Sequence, residues 1–136
     1  MQAELDVTTS LISRIKKLNI STDGIRIIAN LHSSRTPLLV EFKAFKSFLA
    51  SEIRQFKSLE KSAEFYHNFS GEGFAGIDCF QGSHVSVRTY PGVNDIVFDL
   101  FLSNTLPDHE EISHTLYTKT IAFFESRVLN EKVVKC

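Results

Sequence analysis

Residues 73–103 have the sequence GFAGIDCFQGSHVSVRTYPGVNDIVFDLFLS, in which three strand-like segments are separated by two short joints. Alternation is clearest in residues 83–89, SHVSVRT, whose odd-numbered side chains face one way and whose even-numbered side chains face the other. The joints at residues 81–82 and 91–95 contain glycine, proline, asparagine and aspartate, which favour turns. The stretch therefore predicts an antiparallel meander.

The first 23 residues predict a short amphipathic helix. Leu11, Ile12, Ile15 and Leu18 recur at helical spacing, and the helix is expected to end before the turn-prone residues 21–24. We interpret residues 1–23 as an N-terminal extension of a domain that spans residues 24–136. The helix either packs on that domain or binds a partner.

Residues 24–53 predict one strand followed by one long helix. Residues 24–31, GIRIIANL, are rich in β-branched side chains, which favour a strand. Thr36 and Pro37 are a suitable cap and first helical residue. The apolar residues that follow on one helical face are Leu38, Leu39, Phe42, Phe45, Phe48, Leu49 and Ile53. This helix is expected to cover one face of the sheet.

Further elements flank the meander. Residues 63–69, AEFYHNF, alternate and predict another strand. Asn104 or Thr105 is expected to cap a last helix, with Pro107 in its first turn. The apolar side of that helix comprises Ile112, Leu116, Ile121, Phe123 and Phe124. Residues 132–136 are expected to add a short edge strand or to fray.

The order of elements indicates the fold class. A helix, a strand, a helix, three or four antiparallel strands and a helix are typical of an α+β two-layer sandwich, in which an antiparallel sheet carries its helices on one face.

Composition limits the class of protein. The 136 residues carry a net charge of −1, with a pI near 6.5, so there is no electrostatic reason to expect nucleic acid or an anionic membrane as a partner. No apolar run is long enough to span a bilayer, and the N-terminus lacks the pattern of a secretory signal. The two cysteines, Cys79 and Cys136, suit a reducing cytoplasm. We expect a cytoplasmic protein.

Residues 69–104 resemble the core of the prokaryotic S-adenosylmethionine decarboxylases. The family pattern has FSPQGVSG, a strand, ESHLTIHTWPE and a strand that ends in VDVFTCG, and the two sequences align over this range without a gap. The matching residues are Phe69, Ser70, Gly73, Gly76, Ser83, His84, Thr89, Pro91, Asp99 and Phe101. The resemblance implies the same two-layer fold, a homodimer or a heteromer with a related subunit, and a link to polyamine metabolism.

The resemblance also implies a chemistry. In that family the serine of Glu-Ser-His attacks the preceding peptide bond, and the chain is cut to leave a pyruvoyl cofactor on the second fragment, which then decarboxylates S-adenosylmethionine. Ser83 is the residue that matches the pyruvoyl precursor, so the corresponding bond is Gly82–Ser83. Phe69 matches a phenylalanine that stacks on the adenine, and Phe69 and His84 are the candidate substrate-binding residues.

Three chemical groups of the family differ in this sequence. Ala75 and Arg88 stand where the family has a serine and a histidine that assist self-cleavage, and Ser103 stands where it has a cysteine that protonates the product. Arginine stays protonated and cannot shuttle a proton as histidine does, and a hydroxyl is a far weaker acid than a thiol. Ser83, Arg88 and Ser103 are the candidate catalytic residues.

These differences leave two main functions open. The first is a decarboxylase-like protein that does not process itself and acts as a binding or regulatory partner. The alternative is an active pyruvoyl-dependent decarboxylase of S-adenosylmethionine or another amino acid. A protein that shares only the fold and binds an unrelated ligand is a third possibility.

The sequence evidence for two other kinds of site, a metal site and a hydrolase triad, is weaker. His67 and His84 are potential metal ligands, but no cysteine or carboxylate partner is indicated by spacing, so no metal is expected. Ser83, His84 and Asp99 have the composition of a hydrolase triad. Adjacent residues of a strand point to opposite faces, so Ser83 and His84 are not expected to meet.

Overall fold

Six antiparallel strands and three helices form the computed structural model, which describes residues 23–135. The strands are β1 (Gly24–His32), β2 (Lys61–Asn68), β3 (Phe74–Phe80), β4 (Ser83–Tyr90), β5 (Asp95–Ser103) and β6 (Arg127–Lys135). The helices are α1 (Thr36–Val40), α2 (Lys43–Ile53) and α3 (His109–Phe123). The strands lie in the order β2-β3-β4-β5-β1-β6, so β2 to β5 form the predicted meander.

The alternation predicted for the meander is confirmed by burial. In β4 the odd-numbered side chains from Ser83 to Thr89 are buried beneath the helices, and the even-numbered ones are partly exposed on the other face. The apolar residues of the predicted long helix are buried or packed against the core, as a covering helix requires. Fully buried aromatic and aliphatic side chains of the core include Phe45, Phe74, Phe98, Leu100, Leu116 and Phe124. The α+β two-layer fold is therefore confirmed.

The prediction of a single helix from Thr36 to Ile53 is wrong, because the helix is interrupted between α1 and α2. Glu41 adopts an extended conformation, with φ −141° and ψ 137°. The side chain of Asn68, at the end of β2, accepts the backbone N–H of Phe42 at 3.1 Å and donates to Glu41 Oε1 at 3.3 Å. A contact with a distant strand thus replaces the helical hydrogen bonds.

The last helix and the last strand also differ from their predictions. Asp108 is the residue before α3, four residues after Asn104, because residues 103–105 form a local turn in which Ser103 Oγ accepts the N–H of Thr105 at 3.2 Å. The final strand is longer than predicted, since all nine residues of β6 are in the strand and it pairs with β1.

Some predictions concern residues outside the described range. The N-terminal helix of residues 11–18 and most of the extension lie there, as does Cys136, so the domain boundary at residue 24 stays a prediction. Among residues 23–135, no helix has both the length and the apolar character needed to cross a membrane.

Candidate functional site

One sheet face carries no helix within residues 23–135, and we call it the open face. Its central side chains are Arg26, Ile28, Asn30, Ala75, Ile77, His84, Ser86, Arg88, Val97, Asp99 and Phe101. A shallow depression of about 330 Å³ lies on this face, lined by Phe65, Ala75, Ile77, Ser86, Arg88, Val97 and Asp99 among others. Two of the three positions that differ from the family, Ala75 and Arg88, therefore border one concave region.

Ser83 lies at the start of β4, directly after the turn residue Gly82, whose φ is +73°. Its side chain points to the helix-covered side and is 5% exposed. The hydroxyl accepts the backbone N–H of Ser103 at 2.9 Å. The described residues bring no histidine or arginine within hydrogen-bonding distance of that hydroxyl, so nothing there is suited to remove its proton.

Ser103 ends β5 and is fully buried. Its own hydroxyl is bonded to Thr105 Oγ1 at 2.9 Å and accepts the Thr105 N–H at 3.2 Å. The structure thus brings two predicted site residues, Ser83 and Ser103, into contact through the Ser103 backbone. The Ser103 hydroxyl is occupied by local hydrogen bonds.

Arg88 lies on the open face, where it is paired with Ala75 of β3. Its guanidinium carbon is 4.1 Å from the ring centre of Phe69 and 4.6 Å from that of Tyr90. One guanidinium nitrogen also donates to the carbonyl of Glu72 at 3.4 Å. These cation–π contacts hold the cation over the aromatic ring expected to receive an adenine.

The distance along β4 separates Arg88 from Ser83. The two residues are five apart on a strand that rises about 3.3 Å per residue, so their backbones are about 17 Å apart and their side chains point to opposite faces. Arg88 therefore does not reach Ser83. The site predicted from the sequence is therefore divided.

His84 is separate from both Ser83 and Arg88 and lies in a group of side chains centred on Asp99. His84 Nε2 lies 3.9 Å from Asp99 Oδ2, and Arg26 approaches the same oxygen at 3.8 Å. Asp99 Oδ1 is shielded from solvent and has no hydrogen-bond partner among residues 23–135. Because Ser83 is on the opposite face, the contact between His84 and Asp99 does not complete a hydrolase triad.

Metal binding has no support in the described part of the chain. Residues 23–135 contain no cluster of three or more histidine, cysteine, aspartate or glutamate side chains suited to a metal ion. His67 instead packs edge-on against Phe69, with ring centres 4.7 Å apart.

Comparison with known structures identifies the fold. The crystal structure of the adenosylmethionine decarboxylase from Aquifex aeolicus VF5 matches with a TM-score of 0.71, over 85% of this chain and 91% of that chain. The chain has an adenosylmethionine decarboxylase fold. The sequences are 17% identical, which supports the shared fold alone. Neither a protein-family model nor a curated protein matches the chain.

Two residues with contacts on the open face, Tyr90 and Arg26, were missed by sequence reasoning. Tyr90 lies two residues after Arg88 on one strand face, so strand alternation was a sufficient signal for their contact. Arg26 had no such signal, because its approach to Asp99 depends on the pairing of β1 with β5.

Proposed function

We propose that this protein is an S-adenosylmethionine decarboxylase-like protein that does not cleave itself and acts as a binding or regulatory partner in polyamine metabolism. The environment of Ser83 supports the proposal most directly. Its hydroxyl is buried and bonded to a backbone N–H, and the arginine at the family's histidine position is on the other face of the sheet.

Self-cleavage needs more than the nucleophile. Ser83 Oγ must attack the Gly82 carbonyl carbon, a donor must stabilise the resulting oxyanion, and a base must remove the Ser83 α-proton so that the ester eliminates. Ala75 has no hydroxyl, and Arg88 is not a base at any working pH. The residues present do not fit the formation of a pyruvoyl group.

An active pyruvoyl-dependent decarboxylase is the second candidate. The contact between Ser83 and Ser103 favours it, since two positions that match family site residues lie within one hydrogen bond of each other. This candidate requires cleavage at Gly82–Ser83, which makes the two proposals separable.

Mass spectrometry under denaturing conditions tests the choice. We expect one species at 15.4 kDa, the mass of the intact chain. Two fragments that divide at Ser83 would establish the active candidate, and Ser83→Ala should then abolish the division. Ser86→Ala is the matched control, because Ser86 is on the same strand but on the open face.

The binding role has its own test. Titration calorimetry with S-adenosylmethionine should give saturable heat if the open face holds such a ligand. An intact chain that binds neither this compound nor an active S-adenosylmethionine decarboxylase would contradict the proposed role and favour a protein that shares only the fold.

Self-association is part of the proposal. Ile28, Phe65 and Val97 are 39%, 59% and 37% exposed on the open face. Ile28 and Val97 lie on adjacent strands, and Phe65 lies on the edge strand β2. Exposed apolar side chains on an uncovered sheet are typical of an interface. We propose that the open face forms a homodimer or a heteromer with a related subunit, which would close the depression.

A further inference from the structure

Arg88 is a charged side chain of the open face that has no acidic partner within residues 23–135. It forms no ion pair there, whereas Arg26, the other arginine among the central side chains of this face, approaches Asp99 Oδ2 at 3.8 Å. The only hydrogen bond of the Arg88 side chain in the described part of the chain runs from Nη1 to the Glu72 carbonyl at 3.4 Å. A guanidinium has five N–H donors, so most of those of Arg88 are left for solvent or a ligand.

Two aromatic rings hold this cation in place. The guanidinium carbon lies 4.1 Å from the ring centre of Phe69 and 4.6 Å from that of Tyr90. These contacts restrict the Arg88 side chain without neutralising its charge. A restrained side chain loses less conformational freedom when it binds, and the planar guanidinium can donate two parallel hydrogen bonds to one carboxylate. Arg88 is therefore preorganised to receive an anion.

The depression beside Arg88 limits the size and the chemistry of that anion. Its volume of about 330 Å³ is at the lower end of the range for small-molecule sites, roughly 300–1,000 Å³. Its walls are mostly apolar and include Phe65, Ala75, Ile77 and Val97. Ala75 and Val97 are the cross-strand neighbours of Arg88 on β3 and β5, so the apolar walls adjoin the cation. A small anion with an apolar body matches this lining.

One acid, Asp99, also lines the depression, and its charge is compensated. Arg26 and His84 Nε2 lie 3.8 and 3.9 Å from Asp99 Oδ2. With His84 neutral, the side chains of Arg26, Arg88 and Asp99 together leave one positive charge. The repulsion between Asp99 and a bound anion is thus offset by Arg26, and the attraction of Arg88 remains.

We propose that the depression binds a small carboxylate with an apolar body. The carboxylate oxygens accept hydrogen bonds from Arg88, and the apolar body lies against Ile77 and Val97. The inference rests on the binding role proposed for the open face, and it names the chemical class of the ligand. Inorganic anions lack the apolar body, and cations are repelled by Arg88.

Benzoate is the probe for this site, because benzamide has nearly the same shape without the charge. NMR titration of the full chain should give saturable shifts with benzoate at the amides of Ala75, Ile77 and Val97. Benzamide and inorganic phosphate should each bind at least about 10-fold more weakly. Equal binding of benzamide would overturn the role of charge, and equal binding of phosphate would overturn the role of the apolar walls. The absence of saturable shifts with benzoate would contradict the site.

Arg88→Gln should weaken benzoate binding at least about 10-fold, because the amide keeps a donor but loses the charge. Lys132→Gln is the matched control, since Lys132 is opposite Ile28 on the same face. Lys132 is three strand spacings from Arg88, at least about 14 Å, which exceeds the screening length of about 8 Å at physiological salt. Its affinity for benzoate should change less than about 2-fold. Unchanged affinity in Arg88→Gln, or an equal loss in Lys132→Gln, would overturn the assignment.

The proposed function and this inference fail in different experiments. Saturable binding of benzoate that depends on Arg88 would support the inference whether the chain is intact or cut at Ser83, whereas a cut at Ser83 would contradict the proposed function. An intact chain that gives saturable heat with S-adenosylmethionine but does not bind benzoate would overturn the inference alone.

Discussion

The guanidinium of Arg88 lies 4.1 Å from the ring centre of Phe69. In the resembling family the equivalent positions are a histidine and the aromatic residue that stacks on adenine. Here a permanent cation covers the ring, so a ligand that carries an adenine and a sulfonium charge must displace it or avoid it. Under the proposed function, this one substitution would affect both self-processing and ligand binding.

Arg88→Ala should tighten the binding of S-adenosylmethionine. An exposed cation–π contact contributes about 0.5–1 kcal/mol, so its removal should lower Kd roughly 2- to 5-fold. Titration calorimetry measures the change, and Arg54→Ala, an exposed arginine of the helix layer, is the control. Weaker binding by Arg88→Ala would mean that Arg88 contacts the ligand.

Thr89→Val should destabilise the fold strongly. Thr89 is fully buried, accepts the N–H of Phe74 at 2.8 Å and donates to the carbonyl of Leu39 at 2.6 Å. Valine leaves both backbone groups without a partner, which costs about 2–4 kcal/mol in the free energy of unfolding. Urea denaturation measures this loss. Thr118→Val, exposed on α3, should change stability far less, and equal losses would contradict the role of the buried bonds.

Asp78→Asn should stabilise the protein at neutral pH. Asp78 is 1% exposed, and burial raises the pKa of its carboxyl, although Lys61 at 3.7 Å and the Tyr66 hydroxyl at 3.1 Å act in the opposite direction. Because the pKa of Asp78 is raised in the folded state, the contribution of Asp78 to the free energy of unfolding is greatest below its unfolded-state pKa near 3.8. That contribution falls as the pH rises through the folded-state pKa.

The variant removes that dependence. Its advantage over the unmodified protein should be present at pH 7 and should disappear near pH 3, as measured by denaturant midpoints at both values. Glu60→Gln, at an exposed site nearby, is the control for the loss of one negative charge. An asparagine variant less stable than the unmodified protein at pH 7 would show that the Lys61 contact outweighs burial.

Ile28→Asp combined with Val97→Asp should abolish self-association. Both side chains are exposed on the open face, on the adjacent strands β1 and β5, and two charges there would be buried in the proposed interface. Sedimentation at micromolar concentration should give a dimer for the unmodified protein and a monomer for the variant. Val93→Asp, in the turn after β4, should stay dimeric. A monomeric unmodified protein would contradict the homodimer.

The local sequence pattern was sufficient to predict the meander and to predict which face of its strands is buried. The period of two in residues 83–89 correctly predicted which side of β4 is buried, because side-chain alternation is a property of the strand itself. The two turns of the meander could also be predicted from local sequence. Gly82 and Asn94 adopt φ values of +73° and +58°, which glycine and asparagine tolerate. The separation of Ser83 from Arg88 followed from the same alternation.

Tertiary contacts decided the rest. Helical periodicity continued through Glu41, but Asn68 binds the backbone there and divides the helix in two. The length of β6 depended on its pairing with β1, which lies about 100 residues earlier in the chain, and the meeting of Arg26 with Asp99 depended on the neighbouring pairing of β1 with β5. Alternation and turn chemistry are properties of adjacent residues, so the sequence displays them directly. Register between distant strands and the capture of a backbone group by a remote side chain arise only when the chain has folded.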